Sequence, residues 1–276
     1  MEDNLLKLNK IKITNDKQSG EIIAELKYIS SFLNNLAFSF FGKTFVFGKK
    51  TIECSRLLYS VNYTLENVIK CSVRYCISDS MTLLRKFKDD LWFVLYVLTY
   101  KGIFENNFDS RKKNEMRRKI DAWFDNELYI KASSVIKEIF GANDLDELDA
   151  EYGIKTALSE MANKMDNYVH SNGLIFYNSV LFNVDEKVIG DLNSIKTILI
   201  DNILFFLIIL ALQFPYCLSS SDYEDYSDMG AKPQLGCQYW IAPYIEEFFK
   251  KYEEHIDKNL KAFLKKESCL DFSDIW

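Results

Sequence analysis

Two hundred and seventy-six residues make one large domain or two small ones, and a hydrophobic share of 48% supplies an ordinary core. Ten glycines and three prolines make up under 5% of the chain, against about 12% in average usage, which excludes collagen-like, disordered, mostly-β and Rossmann-type organisation. Forty acidic against 34 basic residues leave a net charge of −6, so this is not a chain whose whole surface tracks a polyanion.

Residues 1–20 are polar and mixed and read as a loosely docked start. From Glu21 to about Phe41 the apolar residues Ile23, Leu26, Ile29, Phe32, Leu33, Leu36 and Phe40 recur at helical spacing. Gly42 to Gly48 encloses a short apolar segment suited to a hairpin arm, and helix resumes from Ser55 to Val73. Ser78-Asp79-Ser80 offers capping oxygens for a helix over Met81 to Tyr100, closed by Lys101-Gly102. The charged stretch Arg111 to Lys119 opens a helix reaching about Phe140, and Gly141 to Tyr152 reads as an acidic connector.

A helix over Ile154 to His170 follows, stopped by Ser171-Asn172-Gly173. Gly173 to Phe182 reads as a short strand or an irregular link. Asp185 to Phe214 is the most apolar helix and ends at Pro215; Ser219 to Asp228 is an acidic loop, and Tyr244 to Lys266 forms the last helix. No repeat, flexible linker or low-complexity tract divides the chain. The expectation is one all-α domain over residues 1–276, a bundle of about seven principal helices with 186–214 at its centre.

The six cysteines form no C-x-x-C pair and no zinc-ligand spacing, so reduced thiols in a cytoplasmic protein are expected, with no metal and no cofactor. Met1-Glu2-Asp3-Asn4-Leu5 is acidic and lacks the apolar core of a signal peptide. Ile203 to Leu212 is ten uninterrupted apolar residues, and a membrane span is reached only by extending 198–214 across Asp201 and Asn202. A helix apolar on all sides also suits the centre of a bundle. Burial is the principal reading and membrane association the alternative.

With only two histidines, acid–base chemistry near neutral pH falls on few atoms. His255 lies among Glu253, Glu254 and Asp257 and reads as a solvated surface residue. His170 ends its helix, where it either caps the last carbonyls or serves as a general acid or base. Arg85 and Asp89 are four apart on an apolar helix and can pair. Arg111, Lys112, Lys113, Arg117 and Arg118 form the one basic patch, either a solvated helix start or a phosphate-contacting surface. Gly42-Lys43-Thr44 lacks the first glycine of a phosphate loop, since position 37 is Ala37.

Leu84-Arg85 with Asp89-Asp90, followed by a helix ending Asn167-Tyr168-Val169-His170, resembles the HEPN-like helical proteins of bacterial abortive-infection and toxin systems. Their motif is an arginine, four to six residues, then a histidine late in one helix; here five residues separate Lys164 from His170, and lysine replaces arginine. The resemblance covers about half the chain and implies an α-helical, often dimeric protein acting as a metal-independent ribonuclease. It implies His170 as general acid or base on a ribose 2′-hydroxyl, Lys164 on the phosphate charge, and Arg85 or Asp89 orienting them, with RNA as a partner. The competing expectation is a non-catalytic protein that associates through its aromatic and apolar surface, with itself, a partner protein or a membrane. A small-ligand sensor with an aromatic-lined cavity is a third.

Overall fold

In a computed structural model the chain is all-α apart from one hairpin. The structure describes residues 2–41, 44–47, 50–105, 110–142, 145–170, 186–220, 225–226, 228–231, 241–268, 270, 272 and 275–276. Among these there are ten α-helices rather than the seven expected, and one continuous core draws on residues from Ile22 to Ile275.

Helix α1 (Glu2–Ser39) begins well before the expected Glu21. Its inward stripe is Ile22, Leu26, Ile29, Leu33 and Leu36, spaced three and four apart, with Phe40 buried just beyond its end. The hairpin expected after Gly42 is present, with β1 (Thr44–Phe47) antiparallel to β2 (Lys50–Glu53) and Phe45 opposite Ile52. Helix α2 (Cys54–Val73) returns along α1, and Ser30 Oγ donates to Asn62 Oδ1 across the pair at 2.9 Å.

Helix α3 runs Ile77–Glu105, passing through both residues expected to bound it, Ser80 and Gly102. Ser80 is fully buried and donates to the Cys76 carbonyl at 3.0 Å, with Ser72 Oγ at 3.1 Å, so it joins α2 to α3 rather than capping a new helix. The chain reverses instead at Tyr75, which takes the left-handed conformation (φ 57°). The expected long helix after Arg111 is two, α4 (Ser110–Phe124) and α5 (Ala132–Ala142), parted at Asn126 (φ 58°). Asparagine tolerates that conformation better than most residues. The expected acidic connector contains α6 (Asp146–Tyr152), and Gly153 at φ 62° turns the chain into α7 (Ile154–Val169).

Helix α8 (Glu186–Gln213) is largely buried and packs on α1, α3 and α7. Among the described residues it is the one helix long and apolar enough to cross a membrane, and 72% of its most apolar window is buried within the protein. Asn202, fully buried there, explains the polar interruption: Nδ2 donates to the Ile198 carbonyl at 2.7 Å, and Oδ1 accepts from Trp92 Nε1 at 3.4 Å. The expected final helix is broken into α9 (Pro243–Lys251), a single 3-10 turn (Glu253–His255) and α10 (Lys258–Glu267). Asp257 starts α10 by accepting from the Asn259 and Leu260 amides at 2.7 and 3.4 Å. Phe248 of α9 stacks on Phe32 of α1 with ring centroids 4.0 Å apart.

Candidate functional site

Helix α7 carries the sequence-derived site, and its buried stripe is Ile154, Leu158, Met161 and Met165. Lys164 and Asp166 flank Met165, and a step of about 100° per residue sends them to opposite sides of that stripe. The geometry therefore divides the candidate residues between two neighbours of α7.

On the α3 side, Arg85 Nε donates to Asp166 Oδ1 at 2.9 Å and Arg85 Nη1 to Asp89 Oδ1 at 2.5 Å. The same Asp89 oxygen accepts from Lys88 Nζ at 3.1 Å. Lys88 is 2% exposed, and burial pulls its ammonium below the usual lysine range against the opposing pull of Asp89. Two cations thus meet two carboxylates in a part-buried cluster that is neutral overall. One residue further along α3, Lys86 pairs with Asp90, whose carboxyl burial raises.

Arg85 and Asp89 are therefore brought together as expected, with Asp166 and Lys88 as members that local spacing did not indicate. Arg85–Asp89 is an i,i+4 relation. Arg85 and Asp166 are 81 residues apart, which no local pattern can join. Lys88 carried one usable signal, a position midway between the buried residues Leu84 and Leu91.

His170 closes α7, its amide donating to the Asp166 carbonyl at 3.0 Å. Its side chain is exposed and has no polar partner among the described residues. Helical spacing puts it about 40° from Asp166, hence on the Arg85 side, but about 120° from Lys164 and roughly 9 Å along the axis from it. His170 and Lys164 do not share a face.

Lys164 is exposed on the α8 side of α7, one turn from Met161, whose Sδ accepts from Asn202 Nδ2 of α8 at 3.2 Å. There Asp201 Oδ1 lies 2.7 Å from His255 Nδ1, with side chains 25% and 19% exposed. Burial raises the Asp201 carboxyl above the usual range, while His255 and then Lys164 pull it back. His255 is thus a bonded partner of the central helix, not the solvated residue its acidic neighbours suggested.

Of the basic patch, Arg118 is exposed, whereas the side chains of Arg111, Lys112, Lys113 and Arg117 lie outside the described residues. Lys119, next in line, is tied to Glu138 at 2.7 Å and Glu115 at 3.2 Å. Glu138 also accepts from Tyr96 at 2.9 Å, and burial with that carboxylate pushes the Tyr96 phenol far above its usual range. The expected irregular link at 173–182 also lies outside the described residues, and the loop at 219–228 is described only at 219–220, 225–226 and 228.

Cys54 and Cys217 are buried, Cys71 half-buried and Cys76 exposed, and none of the four is in a disulfide among the described residues. No group of three His, Cys, Asp or Glu side chains is placed to hold a metal among the described residues.

Fold and charge clusters together define an all-α bundle protein with polar inter-helix networks on both flanks of α7. No protein-family model, no curated protein and no solved structure matches the chain.

Proposed function

We propose that this protein is a HEPN-like defence or toxin protein of the bacterial cytoplasm that cleaves RNA without a metal, with His170 as the proton-transfer group. The observation that carries this reading is the anchoring of the last turn of α7. Arg85 on α3 grips Asp166 at 2.9 Å, one helical turn before an imidazole that stands exposed. A general base needs an accessible ring held by a rigid element.

In the reaction, His170 takes the proton of a ribose 2′-hydroxyl as that oxygen attacks the adjacent phosphorus. The P–O5′ bond breaks, and the leaving oxygen takes a proton from the imidazolium so formed. The products are a 2′,3′-cyclic phosphate and a 5′-hydroxyl.

Arg85 and Asp89 act here as positioning residues, since their charges are already satisfied by one another, Lys88 and Asp166. Lys164 supplies positive charge to the RNA backbone, and the basic stretch of Arg111, Lys112, Lys113, Arg117 and Arg118 on α4 supplies further phosphate contacts. Replacing His170 by alanine should abolish RNA cleavage and any growth inhibition by the expressed protein, while the circular dichroism spectrum stays that of the wild type. Undiminished cleavage by H170A would remove His170 from the chemistry.

A second reading, association without catalysis, is favoured by Phe38 and Phe41. They stand 70% and 74% exposed at the end of α1, where a homo-oligomer seam or a partner protein would cover them. Sedimentation equilibrium of wild type against F38S/F41S tests this reading: the variant should fall to a lower mass, and an unchanged mass would remove Phe38 and Phe41 from any seam.

A further inference from the structure

The α8-facing flank of α7 holds an imidazole that the cleavage scheme leaves idle. With Nδ1 bound to Asp201, the His255 ring has one nitrogen left. Nε2 has no partner among the described residues, yet it is not among the buried unpaired polar atoms, so it reaches solvent. The ring is also held in place, by the Asp201 carboxylate at Nδ1 and by an edge-to-face contact with the Tyr252 ring at 6.1 Å. Lys164 is exposed on the neighbouring helix, free of any ion pair among the described residues. The nearby carboxylate Glu253 is met by Lys261 at 3.7 Å, and Glu254 is exposed.

We propose that Lys164 and His255 form a phosphate-binding subsite, with Asp201 as the residue that aims the imidazole. Nε2 donates to one phosphate oxygen whenever both ring nitrogens carry protons, and the Lys164 ammonium contacts another. The α3 flank cannot do this, because each of its cations already faces a carboxylate. Lys164 and His170 lie on different faces of α7, about 120° and roughly 9 Å along the axis apart, whereas Lys164 is on the same flank as His255. The subsite therefore takes a separate phosphate. That this phosphate belongs to the RNA strand cut at His170 rests on the ribonuclease reading; phosphate binding itself does not.

The chain has two histidines, so each ring resonance can be assigned by its loss in the matching alanine variant. Inorganic phosphate is titrated into the full-length protein at constant pH and ionic strength, with chloride as the control. The His255 ring resonance should shift saturably with phosphate and not with chloride, and Lys164→Ala should weaken that response roughly tenfold or more, the loss of one charge-assisted contact. A flat His255 response in the wild type, or an unchanged one in K164A, overturns the subsite.

With a short single-stranded oligoribonucleotide as substrate, K164A should raise KM with little change in kcat, whereas H170A should lower kcat. If H170A cleaves normally while phosphate still shifts His255, the ribonuclease assignment falls and the subsite stands.

Discussion

On the α3 side of α7, Arg85, Lys88, Asp89 and Asp166 close on one another; on the α8 side, Asp201 and His255 pair while Lys164 stands apart in solvent. Both clusters join helices distant in sequence, and both include a carboxylate near one-quarter to one-third exposed. They differ in what is left over. The first has a donor for each acid and an acid for each donor, including an ammonium sealed from water, so its work is to hold helices. The second leaves a ring nitrogen and a lysine unspent. A charge cluster becomes a candidate binding site through its unsatisfied remainder, not through the number of charges in it.

The largest expected effect tests the closed cluster. Asp89→Ala would leave Lys88, 2% exposed, without its hydrogen-bonded anion, a loss of about 3 kcal/mol for an uncompensated buried charge. Urea denaturation followed by circular dichroism reads it directly. Lys88→Met keeps the apolar stem and removes the charge, so it should be near neutral or stabilising even though it too breaks the pair. If K88M is as damaging as D89A, the cluster is not the structural clamp described, and the contrast between the two flanks fails.

The part of this arrangement visible in the sequence was the part built from near neighbours. The stripes of α2 and α7 recur at three and four residues, α8 is an unbroken apolar run over much of its length, and Arg85–Asp89 is one turn of one helix. Ser80 and Gly102 looked like helix ends because propensity and capping act locally; burial of Ser80 between α2 and α3, and continuous packing along 91–100, overrode them. Asn126 and Asp257 were legible in principle, one as a residue tolerant of left-handed backbone and the other as a helix cap. His255 was not. Its sequence neighbours are acids in solvent, and the partner that defines it lies 54 residues upstream.

A middle-sized effect tests the open flank through pH. Burial places the folded-state value of Asp201 above its ordinary 3.8, so the folded protein holds that proton more tightly than the unfolded chain. The sign follows: this group's contribution to stability is fully present below the ordinary value and is lost as pH rises through the raised one. Asp201→Asn removes that dependence. The stability of the wild type minus that of D201N should therefore be greatest in acid and decline across that window. Paired urea curves at several pH values test this, and a pH-independent difference would mean that burial does not disfavour the Asp201 charge.

The smallest effect concerns how the imidazole is aimed. His255 ends the 3-10 turn between α9 and α10, and two residues later Asp257 Oδ1 accepts the Asn259 amide at 2.7 Å to begin α10. Removing that cap with Asp257→Ala should cost about 0.5–1 kcal/mol of stability. The loss is modest, because Leu260 and Leu264 keep α10 seated in the core. Its effect on binding should be larger in proportion, since a frayed start of α10 loosens the turn that sets the ring against Asp201. The phosphate-induced shift of the His255 resonance should then shrink in D257A, while the Arg85–Asp166 side, reached through different helices, keeps its hydrogen-exchange protection. Equal loosening of both flanks would mean that α7 transmits the change, and that the two clusters form one cooperative unit with no division of labour between them.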